Sequence, residues 1–258
     1  MSVLFEIEDG IANVTINRPE RMNAVDPATE EELERIWAEI EADDAIRCVV
    51  LTGAGERAFS AGADMKSDSG KSGLEYWASL NPNGFGGIAM RKSLNVPVIA
   101  RVNGLALGGG MEMVLGCDIV IASQTARFGL PEAKVGRLPL DGGMVMLQRL
   151  IPEKIAAGLM LTGRMMSAQD AAAYGLVNAV VPAEKLDEEV QSWAQDIASC
   201  APLSIKAIKA TIRKTGHLTP HEARALSMPE LITALESEDA KEGVTAFREK
   251  RAPQWRGC

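Results

Sequence analysis

Three short runs, Ile46–Thr52, Val96–Val102 and Ile119–Ala122, are dominated by apolar and β-branched residues rather than by an in–out alternation. Such runs read as strands covered on both faces, and interior strands of that kind pair in parallel through crossover connections. This feature restricts the fold more than any other. The first run ends in Gly53-Ala54-Gly55 and the second in Asn103-Gly104, so each strand hands the chain to a loop. Helical stretches are expected between the strands, roughly over Gly86–Leu94 and Gly110–Gly116, and the alternation predicts an α/β architecture.

The flanks of this core are also legible. Val3, Phe5 and Ile7 alternate with polar residues up to Asp9-Gly10, and Ile11–Ile16 resumes a strand pattern, which predicts a hairpin closed off by Asn17-Arg18-Pro19. Asp26-Pro27 marks a helix start, followed by Leu33, Ile36, Trp37 and Ile40 on one face. Beyond about Ala183 strand patterns stop, and helices are expected over Leu186–Ser199, Ser204–Lys214, Pro220–Leu235 and Asp239–Lys250. The expected division is a core over 1–195 and a C-terminal helical region over 196–258 suited to subunit contact.

Composition removes several function classes. The chain of 258 residues carries a formal charge of -8, which argues against a broad nucleic-acid surface. Cys48, Cys117, Cys200 and Cys258 are scattered without a CxxC pair, which fits free thiols in a reducing compartment. The acidic start, with Glu6, Glu8 and Asp9, is unlike a secretion signal or transit peptide, and no run approaches the ~20 apolar residues needed to span a bilayer. The expectation is a cytoplasmic protein with no membrane and no nucleic-acid partner.

Fixed-spacing signatures fail when tested. Gly70-Lys71-Ser72 would need glycine at Met65 for a phosphate loop and at Leu74 for a nucleophile elbow, and Gly108-Gly109-Gly110 would need glycine at Met113 for a dinucleotide fingerprint. His217 and His221 have a metal-ligand spacing, but Gly216 and Pro220 interrupt the helix that would align them, and no metal site is expected.

What remains is a pair of loop segments built from small residues, Phe59-Ser60-Ala61-Gly62-Ala63-Asp64 and Asn103–Glu112 with its triple glycine. Glycines at the mouth of a helix let backbone N–H groups approach a ligand, with the positive end of the helix dipole behind them. That arrangement suits an oxygen that gains negative charge during reaction. Glu112 falls in the first turn of this helix, a position favourable on dipole grounds alone. Glu132, in Phe128-Gly129-Leu130-Pro131-Glu132, reads by itself as a solvated loop carboxylate.

The order Asn17-Arg18-Pro19, Phe59–Lys66, Pro97-Val98-Ile99-Ala100, Asn103-Gly104 with the triple glycine, Cys117-Asp118 and Phe128–Glu132 resembles the enoyl-CoA hydratase/isomerase (crotonase) superfamily. Leu161–Arg164, Gly175–Asn178 and Glu242–Arg251 extend the likeness across essentially the whole chain. The resemblance implies a spiral of ββα units with C-terminal helices that build trimers, commonly paired into hexamers. It implies an acyl-CoA thioester as substrate and no separate cofactor. By the same resemblance, the backbone N–H groups of Ala63 and Gly109 hold the thioester carbonyl, Ala61, Asp64, Met65 and Lys66 lie along the acyl-CoA segment, and Lys66 pairs with a phosphate. Residues 67–90, with Tyr76 and Trp77, are expected to shape the acyl pocket.

Both glutamate positions are filled, as in hydratases; family isomerases keep only the one matching Glu132, since moving one proton needs one base. The expectation is therefore hydration of a 2-enoyl-CoA or the reverse, with Glu112 and Glu132 catalytic. Many hydratases read Pro-Gly-Ala-Gly-Gly where this chain reads Pro139-Leu140-Asp141-Gly142-Gly143, placing Leu140 near the attacking water. This and the Ser237–Ala240 segment resemble the carnitinyl-CoA dehydratase branch, which stands as an alternative beside isomerase chemistry. RNA binding, reported for some relatives, finds no basic, aromatic-interleaved stretch here.

Overall fold

The computed structural model describes residues 1–67 and 70–258. The expected hairpin is present: β1 (Val3–Glu8) and β2 (Ile11–Ile16) pair antiparallel from Val3↔Ile16 to Glu8↔Ile11, with Asp9 and Gly10 both at positive φ in the turn. The three apolar runs form β3 (Cys48–Gly53), β5 (Val98–Val102) and β7 (Ile119–Ser123). With β10 (Ala179–Val181) they build a six-stranded sheet of order β1-β2-β3-β5-β7-β10, parallel from β2 onward.

A second sheet of four short strands, β4 (Ala58–Ser60), β6 (Leu105–Leu107), β8 (Arg127–Gly129) and β9 (Met166–Ser167), lies in that order. Each of β3, β5 and β7 passes the chain directly to the next strand of the smaller sheet, and β6 then enters a helix. The repeated large-sheet strand, small-sheet strand and return is the spiral that the resemblance implies. Asn103 fastens one such corner: its Nδ2 donates to the carbonyls of Gly53 and Ala58, 2.8 and 3.1 Å away.

The helices are α1 (Pro27–Ala42), α2 (Gly73–Ala78), α3 (Gly109–Gly116), α4 (Gly143–Leu150), α5 (Glu153–Thr162), α6 (Ala168–Ala173), α7 (Leu186–Ser199), α8 (Pro202–Thr215), α9 (Pro220–Ala225), α10 (Pro229–Glu236) and α11 (Glu238–Glu249). Asp26 caps α1 by accepting from Thr29 N–H, and Leu33, Ile36, Trp37 and Ile40 are buried as their spacing predicts. The main core fills the space between these helices and one face of the large sheet. On the other face, Leu186, Val190 and Ala194 of α7 cover Ile11, Cys48, Val50, Ile99 and Ile121. Position 195 falls inside α7.

Two helix expectations are corrected. Gly86–Leu94 is not a helix but a 3-10 turn, Phe85–Gly87, followed by a turn over 88–90 and irregular chain, because Gly84, Gly86 and Gly87 all stand at positive φ. Gly86 C=O is turned to accept from Trp37 Nε1 at 2.8 Å. The predicted Pro220–Leu235 helix is two, because Pro229 has no N–H to donate and holds Met228 in extended geometry. The C-terminal helices are fastened to the core through α8: Lys209 reaches Asp118 at 2.7 Å, and Arg213 donates to the carbonyls of Arg91 and Leu94.

Candidate active site

Helix α3 starts where β6 ends. Gly108 is the hinge, with φ 56, and its own N–H is spent on Gly129 C=O at 3.0 Å. The first helical bond runs from Glu112 N–H to Gly108 C=O, so the amides of Gly109, Gly110 and Met111 have no partner within the helix. Beside them lies the other loop. A Cβ placed on Gly62, which has φ +85, would stand 2.8 Å from Gly109 N and 2.9 Å from Leu107 O. Ala63 forms a parallel bridge with Val25 in which Gly62 C=O and Asp64 N–H make the bonds, leaving Ala63 N–H outside the ladder. The two proposed carbonyl-binding amides are thus on adjoining segments.

The glycines of this helix mouth have a packing reason that the sequence did not reveal. A Cβ on Gly109 would lie 2.5 Å from the Phe85 ring, and one on Gly110 would lie 2.1 Å from Ser60 O. The helix is pressed against β4 and the Phe85 turn, and only glycine fits. At Gly108 the added atom would instead meet the Glu132 carboxylate, 3.2 Å from Oε1.

Glu112 projects from the first turn of α3 and is only 3% exposed. Its Oε1 accepts from Gly143 N–H at 2.8 Å, across a loop in which Gly142 has φ 124. Burial pushes its carboxyl up to about 8; the Gly143 N–H opposes this, and the charges of Asp141 and Glu132 reinforce it. Glu132 opens a 3-10 turn, Glu132–Val135, after β8. It is not the solvated loop carboxylate that its local sequence suggests. Burial raises its proton affinity, and its Oε2 is shielded from solvent without a hydrogen-bond partner among the described residues. A buried acceptor without a donor is costly unless a ligand supplies one.

The Asn17-Arg18-Pro19 motif, which closes the hairpin and heads the family pattern, braces the loop that carries Ala63. Arg18 pairs with Asp26 at 2.8 Å and Asp64 at 3.0 Å and donates to Ala24 C=O. Asp64 also accepts from Lys66 N–H at 3.0 Å. Its carboxylate therefore holds the segment together. Ser60 Oγ donates to Asn23 C=O and accepts from Gly62 N–H, which fixes the turn from inside. Ala61 is half-buried in that turn, while Met65 and Lys66 extend from it into solvent.

Across the site from this loop, Leu140 is half-buried, and its neighbour Asp141 is the buried residue, 6% exposed. Tyr76 of α2 donates its hydroxyl to Asp141 Oδ2 at 2.5 Å. Burial raises the Asp141 carboxyl, a shift the Tyr76 hydroxyl partly opposes. Burial likewise raises Glu30 of α1, helped by the charges of Asp141 and Glu34 and countered by Lys71. Of the stretch 67–90, positions 68 and 69 lie outside the described residues. His217 and His221 are both exposed, and among the described residues no three His, Cys, Asp or Glu side chains are grouped to hold a metal. No helix among them is long and apolar enough to cross a membrane.

This arrangement offers two amides for a developing oxyanion and two carboxyls, buried Glu112 and half-buried Glu132, the charge of the second raising the proton affinity of the first. The family described as Enoyl-CoA hydratase/isomerase matches residues 6–258. The chain is 43% identical over 259 residues to an (E)-benzylidenesuccinyl-CoA hydratase from Thauera aromatica, covering 100% of each. It is 39% identical over 251 residues to the carnitinyl-CoA dehydratase of Escherichia coli (strain K12), covering 96% of this chain and 95% of the relative. The crystal structure of an enoyl-CoA hydratase from Bacillus anthracis superposes over 100% of both chains with a TM-score of 0.92 at 35% identity.

Proposed function

Because the chain belongs to the enoyl-CoA hydratase/isomerase family, we propose that it is a lyase adding water reversibly across the double bond of a 2-enoyl-CoA thioester, or removing it from the 3-hydroxyacyl-CoA. The observation that carries this reading is the pair Glu112 and Glu132, one buried and one half-buried carboxyl, both with raised proton affinity, at the mouth of α3. An isomerase needs only one such group.

The two amides take the thioester carbonyl oxygen and stabilise the enolate that forms when water attacks Cβ. Glu112 holds the water and accepts its proton; Glu132 delivers a proton to Cα. The pair begins and ends with one proton between them, so the net change is one water added across the double bond. The pair therefore titrates as a unit. Burial raises the proton affinity of both members of the pair. Dehydration begins with the shared proton on Glu112, which protonates the departing hydroxyl while Glu132 takes the Cα proton. Hydration begins from the other arrangement, with the proton on Glu132.

Coenzyme A is part of the substrate and no further cofactor is needed by this chemistry. Met65 and Lys66, exposed beyond Ala63, suit the coenzyme A portion, with Lys66 as a mobile charge for a phosphate. The acyl group lies toward Leu140, Tyr76 and Trp77. Ile208, Ile212, Leu235, Val244 and Phe247 leave an apolar face exposed on α8, α10 and α11, which supports a homotrimer or a dimer of trimers. A cytoplasmic place in fatty acid metabolism fits the free thiols and the substrate class.

The test is loss of ultraviolet absorbance when the protein meets a panel of 2-enoyl-CoA thioesters that includes crotonobetainyl-CoA and (E)-benzylidenesuccinyl-CoA. Turnover of at least one, abolished in Glu112→Gln and Glu132→Gln, is the expected result. A protein that moves only the double bond of a 3-enoyl-CoA is an isomerase instead.

A further inference from the structure

Helix α2 stands over the acyl side of the site. It is closed at its start by its own capping box, Ser72 with Glu75, and it turns Leu74 and Trp77 outward, Trp77 being 59% exposed. Tyr76 is the residue it turns inward, and the Tyr76 hydroxyl ends on Asp141. Asp141 occupies the position where many hydratases carry alanine, so neither partner of this bond is accounted for by the hydration chemistry itself.

Asp141 lies two residues before Gly143, the residue whose N–H orients the Glu112 carboxyl. The path between them is stiff. Gly142 is held at φ 124, and the Asp141 carbonyl packs against Gly84, where an added Cβ would come within 3.0 Å. A displacement of Asp141 is thereby transmitted to the Gly143 amide. We propose that Asp141 is a positioning residue for Glu112, held by the Tyr76 hydroxyl, so that α2 and the water-handling carboxyl move as one unit. The acyl group that settles against α2 then sets the geometry of the group that attacks it.

This inference rests on the reading of Glu112 as the residue that handles water. The ionisable groups facing Asp141 are Tyr76 from α2, Glu112 from α3 and Glu30 from α1. Glu34 and Lys71 act on Glu30, and Glu132 acts on Glu112. Among these, the Asp141 charge is one that raises the proton affinity of Glu112, so removing it has a readable direction.

Four variants test the proposal on a 2-enoyl-CoA that the parent hydrates. Tyr76→Phe and Asp141→Ala are each expected to lower kcat by roughly tenfold or more with a smaller effect on KM, a size in line with misplacing a reacting group by a fraction of an ångström. The double variant is expected to be no slower than Asp141→Ala alone, because both remove the same bond. Asp141→Asn, which keeps an acceptor for Tyr76, is expected to recover most of kcat. It is also expected to shift the limb of the pH profile set by the Glu112–Glu132 pair to lower pH, an effect that a purely structural bond does not produce. Parental kcat in folded Tyr76→Phe and Asp141→Ala, or losses that multiply in the double variant, overturns the proposal. Glu112→Gln is run beside them. If it is inactive while the Tyr76 and Asp141 variants are unaffected, only the coupling fails; if it hydrates at the parental rate, the reading of Glu112 fails and the coupling with it.

Discussion

Gly143 and Glu112 come from helices that start 34 residues apart, and the amide of one meets the carboxyl of the other at 2.8 Å inside the core. The Glu112 carboxyl is thus oriented by backbone amides of the Asp141–Gly143 turn. The backbone amides of Gly143 and Asp141 favour the ionised form, but burial and the charges of Asp141 and Glu132 outweigh these neutral donors.

The first expectation concerns the division of labour. Glu112→Gln and Glu132→Gln should each slow hydration by roughly a hundredfold or more, and the double variant should lose much less than the product of the two losses. Exchange of the Cα proton with solvent should survive better in Glu112→Gln than in Glu132→Gln. Normal exchange in Glu132→Gln would contradict the assignment.

A second concerns stability against pH. The folded-state affinity of Glu112 is raised from 4.5 to about 8, so its contribution is fully present below about 4.5 and is lost as pH rises through about 8. Glu132, Glu30 and Asp141 are shifted in the same direction. Each such group changes stability by at most about 1.4 kcal/mol per pH unit within its window. Thermal unfolding between pH 5 and 8 should therefore show Glu112→Gln gaining on the parent as pH rises. Parallel curves would remove this account.

A third addresses the carbonyl-binding amide. Gly109→Pro removes the N–H but also drives a side-chain carbon into the Phe85 ring, so its failure would be ambiguous. Replacing the residue by glycolate, which exchanges the amide for an ester and adds no Cβ, isolates the donor. Turnover should fall by roughly a hundredfold in a variant that unfolds near the parental temperature.

Arg18 yields a fourth. It binds Asp26, Asp64 and the Ala24 carbonyl at once, and a lysine cannot span all three with one ammonium. Arg18→Lys should cost on the order of 1–2 kcal/mol of stability, as for hydrogen bonds to charged groups. It should also lower kcat through the loosened loop, as read by denaturant unfolding and steady-state rates on the same preparation.

The exposed apolar face of the C-terminal helices gives a fifth. Phe247, 85% exposed, and Ile212 are large apolar side chains of a kind that solvated helices seldom cluster. Light scattering at micromolar concentration should report an oligomer, and Phe247→Asp should shift it toward smaller species.

How far the chain could be read without coordinates depended on the range of the signal. The hairpin and α1 were legible from burial on a regular period, and β3, β5 and β7 from unbroken apolar, β-branched runs, signals that lie within a few residues. The strands of the smaller sheet were not: β4, β6 and β8 span three residues each, too short to carry a period, and they are specified by pairing with one another. Gly86–Leu94 misled for a related reason, since its apolar residues pack while its glycines refuse the helix. At the site, Glu112 and Glu132 were found through the family pattern. The partners of Arg18 were not legible, because the Arg18–Asp64 contact joins residues 46 apart. In Pro139–Gly143 the departure from the family pattern points to Leu140, yet the backbone turns Asp141 inward, which a change of letter in a loop does not disclose.

The crowding at the mouth of α3 bears on how such a protein can be retailored. With Phe85 and Ser60 filling the space a methyl group would need at Gly109 and Gly110, random substitution there yields misfolded chains before it yields altered catalysts. A library aimed at a new acyl group is better spent on half-buried Leu140, where a side chain can change while the mouth of α3 keeps its shape.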